Sequence, residues 1–272
     1  MSSLSSLAIL GCGNMAQAIL QGVLRAGLLP AERVTITNLD TAARDEVVAR
    51  LGVRAAANNA EAVRGAAAVL LAVKPQHYAA LAEEIRPHLA PGALLISIAA
   101  GMTMARLEAM YGTDAKLLHT MPNTPALIGQ GVTAISPNAQ VSADELAQVR
   151  ALFAACGEVV DLAEKDFSAF AAVAACSPAF VDVFIEALAD AGVAAGLARA
   201  DAQRIAAQAV AGSGRLVLET GENPAVLKDR VCSPGGTTIA GVQMLENHSL
   251  RAALMDAVVA ATERSRDMGK EQ

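Results

Sequence analysis

At 272 residues the chain is long enough for a sizeable core and favours two domains over one. Its formal charge of −6 argues against nucleic acid or an anionic membrane as partner, and a mean hydropathy of +0.40 points to a large core or to apolar helices buried against another subunit. The four cysteines (Cys12, Cys156, Cys176, Cys232) lack CxxC spacing, so neither zinc nor a disulfide framework is indicated, and reduced thiols suit a cytoplasmic protein.

Leu7 to Leu10 reads as an apolar strand, too short and without the basic flank of a secretory leader. It runs into Gly11-Cys12-Gly13-Asn14-Met15-Ala16. In such a loop the first glycine permits a tight turn, the second lets the backbone approach a pyrophosphate, and Ala16 allows close helix packing. The pattern alone is weak, since any α/β domain can hold a glycine-rich turn; its place between a strand and a helix strengthens it. The helix is expected over Met15 to Ala26, with Gly27 as its C-cap. Arg33 to Thr37 reads as the second strand. An acid at its end would bind the ribose hydroxyls of NAD and repel a 2′-phosphate. The chain has Asn38 there, able to donate to a phosphate, so NADP(H) is favoured. Asp40, if it faced the ribose, would favour NAD(H) instead. Arg44 could pair with the phosphate but reads more simply as a solvated helix charge.

Asp45 to Leu51 is expected to be helical, stopped by Gly52. Ala68 to Val73 reads as a buried strand broken by Lys74-Pro75. The run Ala72-Val73-Lys74-Pro75 can pass a cofactor with its backbone, Pro75 holding Lys74 extended. A catalytic role for Lys74 is conceivable, and a backbone role or surface charge is simpler. Leu81 to Leu89 is a further helix, and Leu94 to Ile98 a strand entering Ala99-Ala100-Gly101. Leu117 to Thr120 is one more strand, halted by Met121-Pro122-Asn123-Thr124-Pro125. Asn123 either touches cofactor or substrate or is a turn residue. Met102, Met104, Met110 and Met121 read as core filling. Strands alternating with helices imply a parallel sheet with helices on both faces, whose ligands collect at the strands' C-terminal ends.

Near Glu164 the pattern becomes almost wholly helical. The apolar region Phe167 to Ala198 is interrupted by Asp182, Glu186 and Asp190, so no membrane span is expected. Pro178 should end or kink its helix. Further helix starts are expected at Asp201, Asn223-Pro224, Ser233 to Gly236 and Ser249. The domains expected are residues 1–162, binding a dinucleotide, and 163–272, all helical. In the second lies Val231-Cys232-Ser233-Pro234-Gly235-Gly236-Thr237-Thr238. Ser233 or a glycine there can cap the next helix and leave free N–H groups suited to a small carboxylate. Thr237 and Thr238 add hydroxyls that can reach a neighbouring ring atom. His77, His88, His119 and His248 do not cluster, and no carboxylate pair, Ser-His-Asp arrangement or metal cluster stands out. Reducing a ketone needs a positioned proton donor, whereas an imine can arrive already protonated. An anion site and one hydroxyl could then suffice.

Gly-x-Gly-x-Met-Ala, Ala72-Val73-Lys74-Pro75, Ala99-Ala100-Gly101, Met121 to Pro125 and Ser233 to Thr238 occur in this order in pyrroline-5-carboxylate reductases, which the chain resembles over nearly its whole length. The Ser-Pro-Gly-Gly-Thr-Thr run is specific to that family; the other motifs are shared among Rossmann enzymes. The resemblance implies an N-terminal Rossmann-type doubly wound sheet, a C-terminal all-helical dimerisation domain, and an active site between them. It implies the last step of proline biosynthesis, in which NAD(P)H delivers hydride to the imine carbon of 1-pyrroline-5-carboxylate. Thr238 would be the catalytic residue, bonding the ring nitrogen, while Val231, Ser233, Gly235, Gly236 and Thr237 would bind the substrate carboxylate. Gly11, Gly13, Asn14, Met15, Ala16, Asn38, Asn59, Ala72, Val73, Lys74, Pro75, Ile98, Ala99, Ala100, Gly101 and Asn123 would bind the cofactor, Asn59 on the adenosine side. The partner implied is a second copy of the chain, with dimers assembling into decamers in some members. Two departures stand out. Ala174 to Phe180 replaces a family segment that often reads Ser-Gly-Ser-Gly-Pro-Ala-Tyr. Arg230 replaces an Asn, and could reach a phosphate or face solvent. The competing readings are a hydroxyacid-type dehydrogenase, which would need a helical lysine facing the nicotinamide where the second half has only Lys165 and Lys228 ahead of the tail, and a non-catalytic dinucleotide sensor.

Overall fold

Four-residue apolar runs bounded by turn residues fold as strands buried on both faces, as a sheet sandwiched between helices requires. The computed structural model describes residues 4–271. In chain order it contains β1 (Leu7–Leu10), α1 (Asn14–Arg25), β2 (Val34–Thr37), α2 (Thr41–Leu51), β3 (Arg54–Ala55), α3 (Asn59–Val63), β4 (Ala68–Leu71) and α4 (Tyr78–Ile85). Then follow β5 (Leu94–Ser97), α5 (Met104–Tyr111), β6 (Lys116–Met121), β7 (Gly131–Pro137), α6 (Ala143–Ala154) and β8 (Gly157–Asp161). The sheet order is β3-β2-β1-β4-β5-β6-β7-β8. Every pairing is parallel except β6 with β7. The expected parallel sheet is therefore mixed. Only a short 3₁₀ segment, Thr124–Ile128, separates β6 from β7, too little chain for the crossover a parallel neighbour needs.

Alternate residues of each strand feed two cores, because successive side chains point to opposite faces. Ile9, Leu70, Ile96 and Leu118 pack with Ile19, Val23 and Phe153 of α1 and α6. Leu10, Val69, Leu95 and Leu117 pack with Tyr78, Leu81, Ile85 and Leu107 of α4 and α5. Local chemistry sets the helix limits. Asp40 accepts the Ala43 N–H at 3.0 Å, so α2 begins at Thr41, four residues earlier than the sequence suggested. Pro87 sits in a 3₁₀ turn that ends α4 at Ile85 instead of Leu89. α1 ends at Arg25 with Ala26 as its C-cap, one residue before the expected Gly27, which follows at φ +64.

From Phe167 the chain is helical. α7 (Phe167–Phe170) passes through a π-helical stretch, Ala171–Cys176, into α8 (Ser177–Ala194). Pro178 stands in the first turn of α8, so it neither ends nor breaks the run; a widened turn precedes it. Proline lacks the N–H that would bond the Ala174 carbonyl four residues back. The Asn123 side chain takes that place, donating Nδ2 to the Ala174 carbonyl at 2.9 Å, while its Oδ1 accepts the Val132 N–H at 2.8 Å.

Two compact units emerge, one reaching to Ala175 with the tail from Thr262, the other Cys176–Ala261. The second holds α8, α9 (Arg199–Thr220), α10 (Pro224–Arg230), α11 (Thr237–Asn247) and the start of α12 (Leu250–Glu271). Its own core is small, Ala189, Ala202 and Ala206 with Ile185 and Val193 against them. Large apolar side chains such as Val183, Phe184, Leu188, Leu218 and Met255 are exposed. The stretch Glu164–Ala194 is long and apolar enough to cross a membrane by length and composition alone, as core helices of soluble proteins also can be.

Replacing Asn123 by alanine removes the partner of a part-buried N–H and of a buried carbonyl. The variant should lose about 1–3 kcal/mol of unfolding free energy in urea titration. A loss below about 0.5 kcal/mol would remove Asn123 from this clamp.

Candidate active site

β1, β2, β4, β5 and β6 run parallel, so their C-terminal ends share one edge of the sheet. Strand order reverses between β1 and β4, which opens a crevice there. Gly11 sits in it at φ +88, and a Cβ at that position would lie 2.8 Å from the Ala72 carbonyl oxygen. Only glycine fits. Gly13 is different. Its backbone is ordinary (φ −73, ψ −179), and a Cβ would meet nothing within 4 Å. No contact within the protein requires glycine there, so the open space suits a ligand approaching the backbone. Gly13 is also the N-cap of α1, with no side-chain cap and no acid in the first turn. The N–H groups of Asn14, Met15 and Ala16 therefore lack intrahelical acceptors at the positive end of the helix dipole.

The end of β2 is closely stitched. Asn38 Oδ1 accepts the Cys12 N–H at 3.5 Å and Nδ2 donates to the Asp40 carbonyl at 3.2 Å. Asp40 caps α2 through Oδ1, which fixes the direction of its carboxylate. The reading of Arg44 as a solvated charge is corrected. Its guanidinium donates to the Ala56 carbonyl at 3.0 Å and pairs with Asp45 at 2.7 Å, leaving the side chain 16% exposed. Asn59, first residue of α3, is brought beside the strand: Thr37 Oγ1 donates to Asn59 Oδ1 at 2.7 Å, and Asn59 Nδ2 donates to Glu84 Oε2 at 2.8 Å.

A buried phenol ties the next two strand ends together. Tyr78 donates to the Leu71 carbonyl at 2.7 Å and shares a hydrogen bond with Ser97 Oγ at 3.0 Å. Burial pushes its pKa far above the ordinary value, so it remains a donor. Ala72 to Pro75 and Ile98 to Gly101 leave from those ends; Lys74 is exposed, with extended backbone before Pro75. Asn123 lies at the end of β6 with both side-chain ends on backbone groups, which favours its turn role over ligand contact.

His119 is a structural histidine, 2% exposed and stacked on Phe167 at 4.2 Å between ring centroids. Its Nδ1 meets Glu164 Oε1 at 3.2 Å, and the same carboxylate accepts the Met104 N–H at the start of α5. Burial works against the charged carboxylate, yet the bonds from His119 and Met104 hold its pKa below the usual range.

In the second unit, Ser233-Pro234-Gly235-Gly236 forms a turn closed by the Gly236 N–H on the Ser233 carbonyl at 3.0 Å, with Gly235 at φ +67. Proline then positive-φ glycine is the signature of a type II turn. Gly236, not Ser233, is the N-cap of α11, and a Cβ on it would collide with Ser233 Oγ. α11 has no side-chain cap and no first-turn acid, so the exposed start carries the N–H groups of Thr237, Thr238 and Ile239 without intrahelical acceptors. Val231 caps the end of α10. Arg230 is largely exposed and pairs with Glu222, which lies just before α10, at 2.6 Å. Thr37, Tyr78, Ser97, Glu84 and Glu164 were not foreseen from sequence. Their partners lie far along the chain, and no local pattern marks them. Among the described residues no group of His, Cys, Asp and Glu could hold a metal ion.

Residues 164–268 match the family described as pyrroline-5-carboxylate reductase dimerisation, and residues 6–101 the family described as NADP oxidoreductase, coenzyme F420-dependent. The chain is 41% identical over 267 residues to the pyrroline-5-carboxylate reductase of Escherichia coli, covering 97% of this chain and 98% of that one. The solved reductase of Coxiella burnetii superposes with a TM-score of 0.92 at 31% identity, covering 98% and 99% of the two chains. A Plasmodium falciparum pyrroline carboxylate reductase solved with NADP bound gives a TM-score of 0.86 at 33% identity, covering 99% of each.

Two outcomes follow from this geometry. Gly13→Ala should stay within about 1 kcal/mol of the parent in stability but weaken NADPH binding by about tenfold or more in fluorescence titration; unchanged binding would contradict the open-cradle reading. A depressed carboxyl stabilises the fold above the ordinary carboxylate pKa and loses that stabilisation as pH falls through its lowered value. Glu164→Gln should therefore show a flatter acid limb in unfolding free energy against pH, and an unaltered limb would contradict the pairing.

Proposed function

The chain belongs to the pyrroline-5-carboxylate reductase family, which reduces 1-pyrroline-5-carboxylate to proline, and from that premise we propose how its own residues serve the reaction. One observation carries the reading: a type II turn delivers an uncapped helix start, α11, whose amides and two hydroxyls stand exposed. The N–H groups of Thr237, Thr238 and Ile239, with the Gly235-Gly236 backbone, hold the substrate carboxylate. Ser233 and Val231 shape the loop around it. Thr238 Oγ orients the ring nitrogen. An imine nitrogen of this kind arrives protonated, so the hydroxyl steadies charge and direction and no side chain has to deliver a proton.

The cofactor is NADP(H), with NAD(H) as an alternative, and when bound it supplies the hydride. Gly11 and Gly13 let its pyrophosphate approach the amides of Asn14, Met15 and Ala16. Asn38 faces the ribose phosphate and Asn59 the adenosine. The backbones of Ala72 to Pro75 and Ile98 to Gly101 line its path, held by Tyr78 and Ser97. Asn123 braces the end of β6 through its bonds to Ala174 and Val132. Residues 1–162 bind the dinucleotide, and 163–272 bind the substrate and a second copy of the chain. The exposed apolar side chains of α8, α9 and α12 suit burial in a homodimer, and the unpaired thiols suit the cytoplasm.

Thr238→Ala should lower kcat/KM for pyrroline-5-carboxylate about 10- to 1,000-fold, read from NADPH absorbance. Unchanged kinetics would take Thr238 out of the mechanism. The same absorbance should show turnover on this imine with NADPH and none on 3-hydroxy acids supplied with NADP+; binding of NADPH without turnover on either would favour a sensor instead.

A further inference from the structure

An acid at the end of the second strand is what ordinarily favours NAD in this kind of fold, because it holds the ribose hydroxyls and repels a 2′-phosphate. Here that position holds Asn38, and the nearby Asp40 caps the start of α2 through Oδ1. A second carboxylate is linked to the end of β2 from a different element. Thr37, the last residue of β2, donates Oγ1 to Asn59 Oδ1 at 2.7 Å, and Asn59 Nδ2 donates to Glu84 Oε2 at 2.8 Å. Two consecutive hydrogen bonds thus connect the end of β2 to a charge carried by α4. They also fix the Asn59 amide, oxygen toward the strand and nitrogen toward the carboxylate. Arg44, the positive charge on α2 that could offset it, is held on the Ala56 carbonyl and paired with Asp45.

We propose that Glu84 is a specificity-determining residue of the cofactor site: its carboxylate, set beside the end of β2 through Asn59, weakens binding of the 2′-phosphorylated dinucleotide and so keeps NADH usable. The proposal rests on the reading that the adenosine ribose lies at the end of β2. Glu84 is exposed, so its field acts through water. Charges several ångströms apart in that medium change an equilibrium by a factor of a few, and added salt screens them. The effect is therefore modest and sensitive to ionic strength. Glu84→Gln keeps an acceptor for Asn59 Nδ2 and removes only the charge, which separates electrostatics from position.

Initial rates of the full-length enzyme with NADPH and with NADH test this, for the parent, Glu84→Gln and Asn38→Asp, at low and at high salt. Glu84→Gln should raise the NADPH-to-NADH ratio of kcat/KM about three- to tenfold at low salt, chiefly through a lower KM for NADPH, and the gain should shrink as salt rises. Asn38→Asp should lower the same ratio. If Asn38→Asp lowers it while Glu84→Gln leaves it unchanged, the ribose lies where expected and the proposal alone is overturned. If neither variant moves the ratio, the placement of the ribose fails and the proposal with it. A gain that persists undiminished at high salt would assign the effect to the position of Asn59, and would equally overturn the role of the charge.

Discussion

The proposed chemistry rests on two helix starts, those of α1 and α11. α2, α3, α5, α6 and α10 each spend a side chain on their own N-cap: Asp40, Asn58, Thr103, Ser142 and Asn223. α1 and α11 begin instead at a glycine, with no side-chain cap and no acid in the first turn. Leaving amides unsatisfied costs stability unless something else accepts them. In the proposed function a close-approaching anion is that acceptor, a pyrophosphate for α1 and a carboxylate for α11. One physical device, a positive helix end that starts at a glycine, would then serve both ligands.

The remaining polar groups hold these openings in register. Asn38 ties the glycine loop to the end of β2, and Tyr78 with Ser97 ties the ends of β4 and β5. Glu164 joins His119 on β6 to the start of α5. Asn123 bridges β7 to the π-helical stretch that Pro178 leaves short of a donor. Each link crosses between elements at the carboxyl edge of the sheet. None of these side chains needs to react. They brace the edge of the sheet to which the proposed function assigns the cofactor.

Much of the frame was legible because its signals are local. β1, β2, β4 and β5 are apolar runs closed by Gly11, Asn38, Lys74-Pro75 and Ala99 to Gly101, and each was placed to within two residues. Gly27 and Asn223-Pro224 marked a helix end and a helix start through their own backbone preferences. Elements without such punctuation were missed. β3 has two exposed residues, and β7 mixes threonine, serine and proline among its apolar positions. α6 and β8 follow β7 and were lost with it. The glycine turn before α11 was readable, down to the helix it opens, but which residue caps was not. Choosing Gly236 over Ser233 depends on the turn's closure at the Ser233 carbonyl. The fate of Arg44, the clamp by Asn123 and the Asn59–Glu84 link join residues 12, 51 and 25 apart in the chain. Tertiary structure alone creates such contacts, so no periodicity or motif announces them.

The account stands or falls on what the open amides of α1 and α11 hold. A crystal structure with NADP and L-proline measures this directly. The pyrophosphate should lie about 3 Å from the N–H groups of Asn14 to Ala16, and the proline carboxylate about 3 Å from those of Thr237 to Ile239, with Thr238 Oγ on the ring nitrogen. A carboxylate bound elsewhere, with the Gly235-Gly236 turn empty, would contradict it.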